Sequence, residues 1–165
     1  MKRLFLFLWV ILFQVFLLDG IDLAGSINPY YYIIFILTIP KKYNSALSLL
    51  LSFLLGFSID LFYPTTLGIH AFCCVLICYL KFFLINKFIP KDSDEVFNII
   101  KLPIQKFIIF STILILIHHF TFFFLTEFAI NKLIYIVLYT IPTYLFTLIL
   151  LIIHKIIAQS YNGKI

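Results

Sequence analysis

The fold the sequence predicts is an all-α integral membrane protein: six transmembrane helices in one bundle, with both termini in the cytoplasm. Three observations carry it. Residues of the set AVILMFWYC make up 64% of the 165-residue chain and charged residues 12%, far from the balance of a soluble globule. The apolar residues fall in runs of membrane-helix length, separated by short polar connections with no room for a soluble catalytic domain. Eleven of the twelve basic residues fall on one side of a membrane only when there are six crossings. The formal net charge of +5 therefore reads as loops facing an anionic leaflet, and the lipid bilayer rather than nucleic acid is the expected partner.

Span one covers 4–18, between Lys2-Arg3 and the polar cluster Asp19, Gly20 and Asp22. Its basic start and apolar core imitate a secretory signal peptide, with Ala24-Gly25-Ser26 as a small-residue stretch for cleavage, but more membrane follows rather than a secreted domain. Span two covers 28–40, with Asn28 placed as N-cap, Pro29 as first helical residue and Pro40 as terminator. A helix of that length rises about 20 Å, short of a hydrocarbon layer of about 30 Å. The sequence leaves open whether this stretch crosses as a regular helix. Spans three to six cover 44–63, 67–88, 104–126 and 133–157. Only Pro64-Thr65-Thr66 separates spans three and four, so they form an antiparallel hairpin in direct contact. The polar stretch 90–101 is too small to be a domain.

Lysine placement decides the doubtful span. With six crossings and the N-terminus inside, Lys2, Arg3, Lys41, Lys42, Lys81, Lys87, Lys91, Lys101, Lys106, Lys155 and Lys164 lie on the cytoplasmic side and only Lys132 outside. If span two merely dips into the membrane, the same orientation leaves three basic residues inside and nine outside. Turning that five-span arrangement over restores nine to three but translocates Lys2 and Arg3.

Ionisable side chains within a span cost at least about 2.5 kcal/mol at the bilayer centre, so each asks for a partner or a function. Asp60 ends a ridge of small and polar residues, Ser45, Ser48, Ser52 and Gly56, at helical spacing. Such a ridge serves internal packing, docking of another protein's helix, or a ligand. His70 opens span four across the short turn from Asp60, and an Asp60–His70 contact is expected. Ser58 lies off the Asp60 face and no G-x-S-x-G is present, so no hydrolytic triad is in view.

His118 and His119 sit within span five, where one is expected to face inward and the other outward. Their adjacency is wrong for a paired-histidine metal site, which needs a spacing of four. Cys73, Cys74 and Cys78 read as small intramembrane hydrophobes. His70, Cys74 and Cys78 have ligand chemistry but no further pair beside them, and neither metal nor cofactor is expected. On span six, Tyr135, Tyr139, Thr143 and Thr147 step by four beside Pro142, a pattern of packing with a tolerated kink. Tyr30, Tyr31, Tyr32 and Tyr63 are placed in an aromatic belt at the outer face.

The order Asn28-Pro29, Pro40, Gly56-Phe57-Ser58-Ile59-Asp60 and Gly68-Ile69-His70-Ala71, in a basic six-span chain of this length, resembles the rod shape-determining protein MreD family in its Bacteroidetes-type form. The motif-bearing match covers Asn28 to Ala71, and the second half agrees in hydropathy and length alone. The resemblance implies a non-enzymatic inner-membrane scaffold of the cell-elongation complex that builds lateral peptidoglycan. It implies binding to MreC and, through it, to MreB, RodA and a penicillin-binding transpeptidase. It also implies a fold like the substrate-binding component of energy-coupling-factor vitamin transporters, and such a transporter subunit is the alternative function. A third class, an ion or proton pathway, would draw on Asp60, His70, His118 and His119. Asn28, Pro29, Ser52, Gly56, Asp60, Gly68 and His70 are the residues expected to dock a partner or to hold the bundle together.

Overall fold

The computed structural model describes residues 2–18, 28–40, 43, 45–88, 99–128 and 130–162. They form six α-helices: α1 (Lys2–Phe13), α2 (Ile33–Thr38), α3 (Ser45–Asp60), α4 (Ile69–Phe88), α5 (Ile104–Glu127) and α6 (Leu133–Asn162). A π-helical turn, Gln14–Leu18, prolongs α1, and 3-10 turns at Pro64–Thr66, Ile99–Lys101 and Ile130–Lys132 precede α4, α5 and α6. No strand occurs among the described residues. Helices α3 to α6 begin and end within a few residues of the spans the hydrophobic runs predict. Two of them, α5 and α6, are long and apolar enough to cross a membrane, while Arg3–Leu18, Ser45–Asp60 and Ile69–Ile85 are shorter apolar helices.

The stretch 28–40 departs from expectation. Only Ile33–Thr38 is helical, Asn28 and Pro29 lie outside it, and Tyr32 stands at the N-cap without a side-chain cap. The Tyr30 N–H donates to Thr147 Oγ1 at 3.0 Å and the Tyr31 N–H to Gln14 Oε1 at 2.9 Å, while Gln14 Nε2 donates to the Pro29 carbonyl at 3.0 Å. The two amides lie ahead of the helix, where no intrahelical carbonyl reaches them, and α6 and the turn after α1 supply their partners. Pro40 does end the segment, with Ile39 extended at ψ 120. The carbonyls left over there, of Ile36 and Ile39, accept from Lys81 Nζ at 2.7 and 2.6 Å.

Every residue from Tyr30 to Leu37 is buried, so the shortest helix is the centre of the bundle. This corrects the aromatic-belt reading of Tyr30, Tyr31 and Tyr32, which are 7%, 8% and 0% exposed. The start of the segment meets His70 and its end meets Lys81, so it runs beside α4 in the same direction. Those eleven residues of α4 rise about 16 Å at 1.5 Å per residue. At one end of the bundle, Arg3 lies 4.5 Å from the Tyr43 ring centroid and Lys155 Nζ holds the carbonyls of Ile100 and Leu102. At the other end, Phe16 meets Phe62 and Phe122 meets His70. Helices α1, α3 and α5 therefore run one way and α2, α4 and α6 the other.

Lys81 and Lys155 are 0% and 1% exposed, which corrects their reading as inner-face charges. Each ammonium is spent on a pair of carbonyls where a short helix ends, so neither lysine weighs in the charge count for six crossings. On the exposed connection after α5, Lys132 pairs with Glu127, whose carboxylate holds the ammonium above the ordinary lysine range.

The interior is polar where a soluble core would be dry. Gln14, Ser48, Ser52, Asp60, His70, Lys81, Ser111, His118, His119, Thr143, Thr147 and Lys155 are buried, while Phe5, Phe16, Leu61, Ile109, Ile134 and Leu138 stand at least 60% exposed.

Lys81→Met should leave two buried carbonyls unpaired, at roughly 1–3 kcal/mol each. Thermal unfolding in mild detergent should show the apparent Tm falling by at least about 5 °C, with Lys106→Met unchanged. Equal midpoints for the two variants would show that Lys81 does not hold the end of α2.

Candidate functional site

The residues singled out in the sequence converge where α3 turns into α4. Gly56 lies so close to α4 that a Cβ there would come within 2.5 Å of both the Ala71 Cα and the His70 carbonyl oxygen. Gly68 has φ +88, a left-handed conformation that lets the chain turn into α4 without strain. Asp60 then faces the opening turn of α4: Oδ1 accepts the His70 N–H at 3.1 Å and Oδ2 the Ala71 N–H at 2.9 Å. Those amides have no intrahelical partner, and a carboxylate at a helix N-terminus is favoured by the helix dipole as well. Asp60 and His70 do meet, but through the histidine's backbone rather than its imidazole. Ser48 and Ser52 are buried on the same face, and Ser52 Oγ donates to the Ser48 carbonyl at 2.9 Å. Of the ridge, only Ser45 is exposed. The ridge is occupied by α4, so it is not free to receive a partner's helix.

The His70 imidazole points instead into the bundle, where it opens a chain of hydrogen bonds across α4, α2, α5 and α6. His70 Nδ1 lies 2.7 Å from Tyr32 Oη, which lies 2.9 Å from His118 Nε2. His118 Nδ1 and His119 Nδ1 are 3.1 Å apart, and His119 Nε2 is 3.0 Å from Thr147 Oγ1. Thr147 also accepts the Tyr30 N–H. Both histidines of the pair are 0% exposed, against the expectation that one would face outward.

A neutral imidazole carries one donor and one acceptor, so the chain is satisfied in either sense. When Thr147 donates to His119, His119 to His118, His118 to Tyr32 and Tyr32 to His70, every contact has one proton and His70 keeps its proton on Nε2. In the opposite sense His119 donates, and the Thr143 carbonyl lies within its reach as well as Thr147. The ring of Tyr30 seals the chain, with centroids 5.1 Å from His119 and 5.0 Å from Phe122.

Beside His70 a cavity of about 170 Å³ opens, lined also by Gln14, Asn28, Tyr30, Tyr63 and Phe122. That is room for about six waters at 30 Å³ each. Asn28 Oδ1 is buried with no protein partner, which gives such water an acceptor. Pro29 contributes its carbonyl to Gln14. Ser58 Oγ donates to the Leu54 carbonyl and takes no part. Cys73, Cys74 and Cys78 are free thiols buried in α4. Among the described residues no three His, Cys, Asp or Glu side chains gather as metal ligands, and the facing ring nitrogens of His118 and His119 bond to each other.

Sequence reasoning expected Asp60 and His70 to meet and set Gly56 on the same ridge as Asp60, and the structure brings Asp60 to the His70 backbone. It missed Tyr32, Gln14, Thr147 and the capping roles of Lys81 and Lys155. The lysines carried a signal, since each interrupts an apolar run. No known protein family, curated protein or solved structure matches this chain.

Tyr32→Phe should leave His70 and His118 without their shared partner and lower stability by about 1–3 kcal/mol, measured as a shift of the unfolding midpoint, while the exposed Tyr139→Phe should have no effect. Gly56→Ala should destabilise more than Gly68→Ala, because at Gly56 the added methyl meets the α4 backbone at His70 and Ala71. The reverse order in thermal unfolding would place the close approach elsewhere.

Proposed function

We propose that this chain is a non-enzymatic membrane scaffold of the MreD type. Six segments cross the inner membrane with both termini in the cytoplasm, and the bundle binds MreC and, through it, MreB, RodA and a penicillin-binding transpeptidase. The observation that carries the reading is where the polar residues go. Asp60, Lys81, Lys155 and Gln14 all bond to backbone groups at the ends of helices or broken segments, which is the work of holding a lipid-embedded bundle together. The apolar exterior supports residence in lipid, and the opposed directions of successive segments support full passage of 28–40.

The motif that prompts the resemblance gains a physical meaning. Gly56, Asp60, Gly68, His70 and Ala71 together build one locked hairpin. The vitamin-transporter alternative finds less support. Ligand pockets usually offer about 300–1,000 Å³, and the polar cavity beside His70 offers about 170 Å³. A partner's helix must use a face other than the Ser48–Asp60 ridge.

Affinity purification of the tagged full-length chain in mild detergent should recover membrane proteins of cell-wall synthesis. Recovery of an ATPase module instead would overturn the scaffold in favour of transport. In intact cells, a membrane-impermeant thiol reagent should label Lys132→Cys and spare Lys42→Cys. The opposite pattern would turn the bundle over.

A further inference from the structure

The cavity beside His70 is lined by two acceptors that the bundle leaves unused. Asn28 Oδ1 is buried without a partner, and His70, 4% exposed, bonds to Tyr32 through Nδ1 while no described residue bonds to its Nε2. Whether that nitrogen gives or takes a proton depends on the sense of the hydrogen-bond chain. The Thr143 carbonyl, on the α6 side of the His119 ring, can only accept, so it favours a proton on His119 Nε2. His119 then accepts from His118, His118 from Tyr32 and Tyr32 from His70, which holds its proton on Nδ1 and leaves Nε2 a bare acceptor. The rings of Tyr30, Tyr63 and Phe122 line the same cavity. Of the charged residues described at this end of the bundle, Glu127 pairs with Lys132. Asp60, whose chain neighbour Ile59 lines the cavity, bonds only to uncharged amides among the described residues. Asp19 and Asp22, in the connection after α1, lie outside the described residues and carry the same sign as Asp60.

We propose that this cavity binds a primary ammonium group on a short aliphatic chain, such as ethanolamine, free or as a lipid headgroup. An ammonium brings three N–H donors and no acceptor, and so answers both bare acceptors at once. Water also donates, but only a cation gains from the aromatic faces and from the neighbouring carboxylate. A quaternary ammonium has the charge without the N–H groups and leaves both acceptors unpaired. The volume sets the size. At about 170 Å³ the cavity slightly exceeds an engineered cavity of about 150 Å³ that holds benzene in another protein. Ethanolamine is smaller than benzene and enters with room for water beside it. Binding of the amine would be the same whichever side of the membrane this end faces and whichever proteins the bundle recruits.

The test uses the purified, delipidated full-length chain in mild detergent. Calorimetric titration with ethanolamine and with choline at fixed ionic strength covers the free amines. Native mass spectrometry with phosphatidylethanolamine and phosphatidylcholine of identical acyl chains covers the lipids. The primary amine should bind at least about tenfold more tightly than its trimethylated counterpart, the worth of one hydrogen bond to a charged group. Saturation by free ethanolamine assigns a soluble amine, and saturation by phosphatidylethanolamine alone assigns the headgroup. Asn28→Ala, which removes one acceptor at a half-buried position, should weaken binding by a similar factor with the unfolding midpoint unchanged. Thr65→Trp, on the exposed rim of the cavity, should block it. Equal binding of primary and quaternary forms, no saturable binding of any of the four compounds, or undiminished binding by Asn28→Ala would overturn the proposal.

Discussion

The constraint on which the structure depends is that helix α2 is too short for its task. Pro40 stops it at one end, and at the other the Tyr30 and Tyr31 backbone N–H groups, which no helix turn pairs, are taken by side chains. A broken helix in an apolar setting exposes N–H and C=O groups, each costing several kcal/mol if left unpaired. The surrounding helices supply the partners: Gln14 and Thr147 at the start, Lys81 at the end. Burial follows from the same need, since such a segment is tolerable only where protein surrounds it. The three tyrosines and five apolar residues from Tyr30 to Leu37 thus form the core because the backbone there is irregular.

The same solution recurs at two other ends. Asp60 closes the N-terminus of α4 from across the hairpin, and Lys155 closes the short turn before α5. In each case a charge is matched to the backbone groups it meets, an acid at amides and an ammonium at carbonyls. Burying these charges is expensive when they are unpaired, but each bonds to two backbone groups that would themselves be costly if left alone.

Much of the fold was legible in the sequence because runs of apolar residues bounded by proline and polar clusters are local features. Helices α3 to α6 follow those bounds closely. The meeting of Asp60 and His70 was legible too, since a turn of a few residues forces it. Which atoms meet was not. The first-turn amides of α4 and the His70 imidazole occupy the same neighbourhood, and the amides, having no other partner, take the carboxylate. Lys81 and Lys155 were counted with the cytoplasmic-side charges, although long cationic chains can also turn inward where carbonyls are free. The carbonyls that draw them inward belong to segments 42 to 55 residues away in sequence. Adjacent residues on a helix point about 100° apart, which suggests that His118 and His119 face different media. Both are buried because Tyr32 takes one flank and Thr147 the other.

An interior that holds His70, Tyr32, His118 and His119 in hydrogen-bonding distance looks at first like a place for chemistry. In lipid, however, apolar surface gives helices little reason to prefer one another over the solvent, so cohesion must come from close approach and hydrogen bonds. Gly56 against Ala71 supplies the first, and the chain from Thr147 to His70 supplies the second across four helices. On the proposed membrane reading, the residue types that would mark an active site in a soluble protein are the ones a lipid-embedded bundle needs to stay assembled. If the polar residues are consumed within, recognition is left to the exterior.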